Sequence, residues 1–143
     1  MRVKIKRFDL SLPLPEYKTA KATSADLNAR ERVEIKPGEV KLIGLNIAIK
    51  IPNGYVGILA ARSSTHKLGL MAANGVGIID PDYCGDEDEW KLAAFNFTKK
   101  KVVVEKGTRI AQVLFLPCKR AKWTEVKKMG IRNRGGFGTT GVK

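Results

Sequence analysis

Apolar and polar positions alternate along much of this chain. Val33 and Ile35, then Leu45, Ile47, Ile49 and Ile51, then Val56 and Ile58, and later Val113 and Phe115 recur at every second residue. That is the spacing with which a strand turns one face to a core. Between the runs stand Lys36-Pro37-Gly38-Glu39, Ile51-Pro52-Asn53-Gly54 and Glu105-Lys106-Gly107-Thr108, whose proline and glycine supply the backbone angles that reversals need. Short strands separated by close turns predict an all-β fold, a jelly-roll-like barrel or sandwich. One brief helix is expected, beginning near Ser63-Ser64, where either hydroxyl could cap it, and ending by Gly69. The 143 residues suit one domain with its own core. No internal repeat is visible, and the glycine-rich tail reads as the one flexible segment, giving a β body over 1–130 and an arm over 131–143.

Charge narrows the partners. Lys and Arg number 27 against 14 Asp and Glu, a formal net charge of +13, which attracts polyanions or phosphorylated substrates. The cations crowd Arg2 to Arg7 and the stretch from Lys119 onward without an aromatic-interleaved stripe or a helix-turn-helix pattern, so a solvated basic surface is favoured and nucleic-acid binding is at most secondary. A single histidine, His66, and two widely separated cysteines, Cys84 and Cys118, give little support to zinc catalysis or a Ser-His-Asp triad. No apolar stretch is long enough to span a membrane, and the first residues lack a signal-peptide core, so a cytoplasmic protein is expected.

Several segments combine side chains suited to a phosphorylated ligand. From Ile131 to Val142 the chain holds two arginines, four glycines, two threonines and Phe137, the makeup of a flexible clamp for a nucleotide, though a disordered tail has the same composition. Gly77-Ile78-Ile79-Asp80-Pro81-Asp82-Tyr83-Cys84-Gly85 delivers two acids and a ring at a strand end. If Ile79 points inward, Asp80 faces away from the core, where a carboxylate can deprotonate water; Asp-Pro-Asp is also ordinary turn chemistry. Arg62-Ser63-Ser64 at a helix start can meet an anion or simply cap the helix. Gly107-Thr108-Arg109-Ile110-Ala111-Gln112 feeds a strand from a polar turn. Asp26 could hold a metal-bound water or satisfy a turn. The run Asp86-Glu87-Asp88-Glu89 reads as a solvated loop tip.

In order and spacing these segments resemble the five motifs of the trimeric dUTP diphosphatases (dUTPases). Ala22 to Leu27 is similar to the first, Ala61 to Ser64 to the second, Asn74 to Gly85 to the third, Gly107 to Gln112 to the fourth, and Arg132 to Gly141, with its Gly-Gly-Phe-Gly core, to the fifth. The resemblance implies a jelly-roll-like homotrimer that hydrolyses dUTP to dUMP and pyrophosphate, with magnesium on the triphosphate and each site shared between subunits. It implies that Asp80 is the base activating water, that Tyr83 packs on deoxyribose and disfavours a 2′-hydroxyl, and that Asn74, Gly77 and Ile79 belong to the hairpin region that receives the substrate. Arg62, Ser63, Ser64 and Gln112 would contact phosphates, and Asp26 would lie near the metal's water shell. Phe137 would stack on uracil, while Arg132, Gly138, Thr139 and Thr140 would close over the nucleotide.

Three departures accompany the resemblance: Ala61 stands where proline is usual, Arg134 where a small or polar residue is usual, and the acidic stretch is longer than common. Two other readings remain. A dCTP deaminase would share the fold, but Ala93 stands where its glutamate would align. A non-catalytic basic module would bind nucleic acid or a protein instead.

Overall fold

Alternation of the kind seen over Lys91–Asn96, where Leu92, Ala94 and Asn96 are buried and Lys91, Ala93 and Phe95 are not, forces short strands to pack one face inward. A computed structural model, describing residues 1–137 and Thr139, contains eleven strands among those residues: β1 (Lys4–Arg7), β2 (Ala25–Asn28), β3 (Val33–Ile35), β4 (Val40–Gly44), β5 (Ile47–Lys50), β6 (Tyr55–Ala61), β7 (Leu70–Ala72), β8 (Val76–Ile79), β9 (Lys91–Asn96), β10 (Val102–Val104) and β11 (Arg109–Pro117). Every pairing between them is antiparallel. A four-stranded sheet in the order β2-β11-β6-β8 faces a three-stranded sheet, β4-β9-β7, with the pairs β1-β5 and β10-β3 beside them. The all-β expectation holds.

Leu27, Ile43, Leu45, Ile47, Leu70, Trp90, Leu92, Ile110 and Val113 form the core. Ile47, Ile49 and Ile51 lie in it as their alternation predicts, whereas in β6 the inward residues are Gly57 and Leu59, and Val56 and Ile58 are half-buried on the other face. Asn96 is a buried polar exception whose amide is fully used. It donates to the carbonyls of Ile35 (2.9 Å) and Lys100 (2.8 Å) and accepts from the amide of Thr98 (2.9 Å) and its hydroxyl (2.8 Å), which removes the penalty of burying it.

The expected helix is a 3-10 turn over Thr65–Leu68, and Ser64 caps it without any side-chain bond. The closing hydroxyl is instead that of Thr65, which accepts from the Arg62 amide (3.0 Å) and donates to the Ile110 carbonyl (3.0 Å). Four residues make too short a helix for the dipole to hold an anion, so that part of the expectation is corrected. Strand β11 ends at Pro117, well before residue 130. The described residues after it carry no regular structure and expose Trp123, Met129 and Ile131.

Candidate active site

On the outer face of the four-stranded sheet, strand register brings polar residues from three strands together. Gln112 pairs with Asp26 on one side and with Ala60 on the other, and the pleat turns Asp26 and Gln112 away from the core that Leu27 and Val113 enter. The Asp26 carboxylate is held at both oxygens: Arg62 Nε donates to Oδ1 and Arg109 Nη1 to Oδ2, each at 2.9 Å. Arg62 Nη1 reaches the Arg109 carbonyl (3.3 Å) and Ser64 Oγ (3.4 Å). Ser24 Oγ donates to Gln112 Oε1 (2.9 Å), and Gln112 Nε2 donates to the Ala61 carbonyl (3.1 Å). Asp26, Arg62 and Ser64 therefore belong to one network, with Gln112 next to it at the Ala61 carbonyl and Ser63 exposed beside it. Arg109 and Thr65 join them. The turn before β11 already contained Arg109, but nothing in the sequence paired it with Asp26.

Asp80 follows β8 directly. Ile79 packs against the core and Ile78 faces out, so the pleat exposes Asp80 as expected. The Tyr83 amide donates to the Asp80 carbonyl (3.2 Å), closing a turn, and the Tyr83 hydroxyl donates to the Glu89 carbonyl (3.2 Å). The acidic run is not wholly a solvated tip. Asp86 and Glu87 are exposed and attract Lys6, but Glu89 is buried. Its Oε1 accepts from Arg30 Nε (2.8 Å) and from the Asn46 amide (2.9 Å). The hydrogen bond to Glu89 raises the Arg30 guanidinium above its ordinary pKa, as an opposite charge beside it must.

Asn74 is exposed in the connection between β7 and β8, where Gly75 adopts a φ of 70°. This is not a paired hairpin: β7 bonds to β9 and β8 to β6, so residues 73–75 carry the chain from one sheet to the other. Gly77 lies close over Leu59, where an added Cβ would meet the Leu59 Cβ at 3.2 Å.

The chain does not bring Asp80 to Arg62. Ile79 pairs with Gly57 at one end of the β6 contact, while Arg62 lies just past Ala61 at the other, and that run of β6 is about 13 Å long. The recess beside the arginine network, about 230 Å³, is lined by Leu14, Glu16, Asp26, Asn28, Gly107 and Arg109 among others, with neither Asp80 nor Tyr83. It is smaller than the roughly 300–1,000 Å³ of small-molecule pockets. In the tail, Arg132 and Phe137 are exposed, and Thr139 Oγ1 accepts from the Gly136 amide (2.7 Å). Gly138 and Thr140 lie outside the described residues. Among those residues, no group of three or more His, Cys, Asp or Glu side chains could hold a metal alone, and no helix is long and apolar enough to cross a membrane.

The dUTPase family model matches residues 11–141. The deoxyuridine 5'-triphosphate nucleotidohydrolase of Rickettsia felis is 40% identical over 147 residues, covering 99% of this chain and 97% of the relative. The crystal structure of the Streptococcus mutans dUTPase is 31% identical, with a TM-score of 0.76 over 83% of this chain and 98% of that one. A G164S mutant of the Staphylococcus bacteriophage 80alpha dUTPase, with dUpNHpp, shares the fold, with a TM-score of 0.86 over 99% of both chains at 23% identity.

Proposed function

The chain belongs to the dUTPase family, and from that premise we propose how its own residues hydrolyse dUTP to dUMP and pyrophosphate. Asp80 takes a proton from a water whose oxygen attacks the α-phosphorus. The bond from that phosphorus to the α–β bridging oxygen breaks, and pyrophosphate leaves with the bond's electron pair. Exposure of Asp80 on a turn pinned by Ile79 on one side and Tyr83 on the other supports this role.

Arg62, with Ser63, Ser64 and Gln112, receives the phosphates. Asp26 engages Nε of Arg62, and Nη1 is engaged by Ser64 and the Arg109 carbonyl. The guanidinium is thereby oriented before substrate arrives, with Nη2 making no hydrogen bond among the described residues. An oriented guanidinium stabilises developing phosphoryl charge without reorganising.

Magnesium fits this donor set only as a partner of the substrate, since it keeps waters and takes oxygen ligands from phosphates. Asp26 is the carboxylate beside the phosphate-facing arginine and would contact the ion through water. When bound, the ion supplies charge neutralisation on the triphosphate.

The observation that carries the assembly reading is the separation of Asp80 from Arg62 along β6. A base and a phosphate clamp at opposite ends of one strand serve one nucleotide only if different copies of the chain contribute them. The site is therefore shared between copies, in the homotrimer that the resemblance to the dUTPases implies, with Asn74, Gly77, Ile79 and Tyr83 beside Asp80 receiving the nucleoside. The exposed segment after Pro117, with Trp123 at 92% exposure, carries Arg132, Phe137 and Thr139 toward a neighbour's site. Asp80→Asn tests the chemistry: dUTP binding stays within severalfold while turnover falls about 10²- to 10⁴-fold. Near-normal turnover would assign the base elsewhere.

A further inference from the structure

The acidic stretch after the catalytic turn contains one residue that behaves unlike its neighbours. Asp86 and Glu87 have side chains 92% and 93% exposed, whereas the side chain of Glu89 is 6% exposed. Gly44 makes room for it, since a Cβ there would come within 2.7 Å of Glu89 Oε1. The carboxylate bonds to Arg30, just after β2, and to the backbone of Asn46, just before β5. Next to it, the Trp90 amide donates to the Ile47 carbonyl (2.8 Å) and the Trp90 carbonyl accepts from Leu45 (2.9 Å). The Glu89 backbone is thus tied to the body of the fold through Trp90 and through its own carboxylate, and its carbonyl is the acceptor for the Tyr83 hydroxyl.

We propose that the Arg30–Glu89 pair is a positioning device for Tyr83, and through it a determinant of deoxyribose over ribose selection. The proposal deepens the reading above and rests on it, because it takes the Tyr83 ring as the surface against which the sugar packs. A tyrosine that is 41% exposed has little packing to hold its ring. The bond from its hydroxyl sets where the ring sits, and that bond ends on a backbone group held by a buried carboxylate. Discrimination by exclusion of a hydroxyl depends on ring position to within a fraction of an ångström, since a wall that moves away admits the larger sugar. Arg30 and Glu89 touch neither substrate nor water in this scheme. They act only by keeping the far end of the 80–89 loop in place.

The test compares kcat/KM for dUTP and for UTP in the wild-type protein and in Tyr83→Phe, Glu89→Gln and Arg30→Met, with thermal unfolding measured on each. Tyr83→Phe keeps the ring and removes only the hydroxyl. Its dUTP-to-UTP preference is expected to drop roughly threefold to tenfold, the scale of one hydrogen bond. Glu89→Gln and Arg30→Met are expected to lower it similarly, and Tyr83→Phe combined with Arg30→Met to lower it no further than the larger single effect. A purely structural pair would lower the unfolding temperature of Glu89→Gln while leaving the preference unchanged, and that result would overturn the proposal. Unchanged preference in Tyr83→Phe, which has no reason to misfold, would overturn it as well. Failure of the wild-type protein to hydrolyse dUTP would instead sink the reading on which it rests.

Discussion

Arg62 and Asp26, 36 residues apart in sequence, meet at 2.9 Å between Nε and Oδ1, and the opposite carboxylate oxygen is taken by Arg109 at the same distance. One acid therefore organises two cations on the face proposed to receive phosphate.

Replacing Asp26 with Asn keeps the shape and removes the charge that aligns them. The Asp26 side chain is only 12% exposed, so hydrogen bonds to charged groups worth about 1.5–3 kcal/mol are weakened in a partly dry setting. Asp26→Asn is expected to destabilise the fold by about 1–3 kcal/mol and to lower kcat/KM for dUTP roughly tenfold to a hundredfold. Denaturant unfolding and steady-state kinetics check both, and unchanged kinetics would remove Asp26 from the site.

Gly57 lies opposite Ile79, one residue before Asp80. A methyl group there would meet Ile51 Cδ1 at 2.9 Å and the Trp90 ring at 3.1 Å. Overpacking of this kind costs about 1–3 kcal/mol. Gly57→Ala is expected to lower thermal stability by that amount and to reduce turnover more than dUTP affinity, because the strand that presents Asp80 must shift. Unchanged melting would show that the β6 face is looser than its packing indicates.

Acid should weaken the fold in a defined window. Lys101 and Arg32 donate to Glu34 (2.8 and 2.7 Å) and hold its carboxyl at about 2, below the ordinary 4.5. Lys106 and Ser11 likewise hold Asp9 far below the usual carboxylate range. Both groups bind protons more weakly folded than unfolded. Their contribution is therefore present above the ordinary carboxylate values and is lost as pH falls toward the folded ones. Melting temperature is expected to decline from about pH 4.5 to about 2, and Glu34→Gln to flatten that decline without altering stability near neutrality by more than surface pairs usually do.

The strands and turns were legible because alternation and glycine report local backbone directly. Gly38, Gly54 and Gly107 all adopt positive φ in turns anticipated from their neighbours. The dUTPase resemblance was legible too, and the family match bears it out. What was not legible depended on contacts between distant positions. Glu89 looks solvated in a run of four acids, and only Arg30 and Asn46, from other parts of the fold, reveal its burial. Ser63 and Ser64 look like caps, yet Thr65 closes the turn because its hydroxyl reaches the Ile110 carbonyl. The distance from Asp80 to Arg62 follows from register, which a sequence does not print.

A site divided between copies of the chain can be tested by mixing two inactive proteins. Asp80→Asn and Arg62→Ala, dissociated and reassembled together at equal concentration, should recover about a quarter of wild-type dUTP hydrolysis, because every mixed trimer then holds one intact site out of three. No recovery from verified mixed trimers would mean that Asp80 and Arg62 serve the nucleotide from within one chain, contrary to the shared site proposed above.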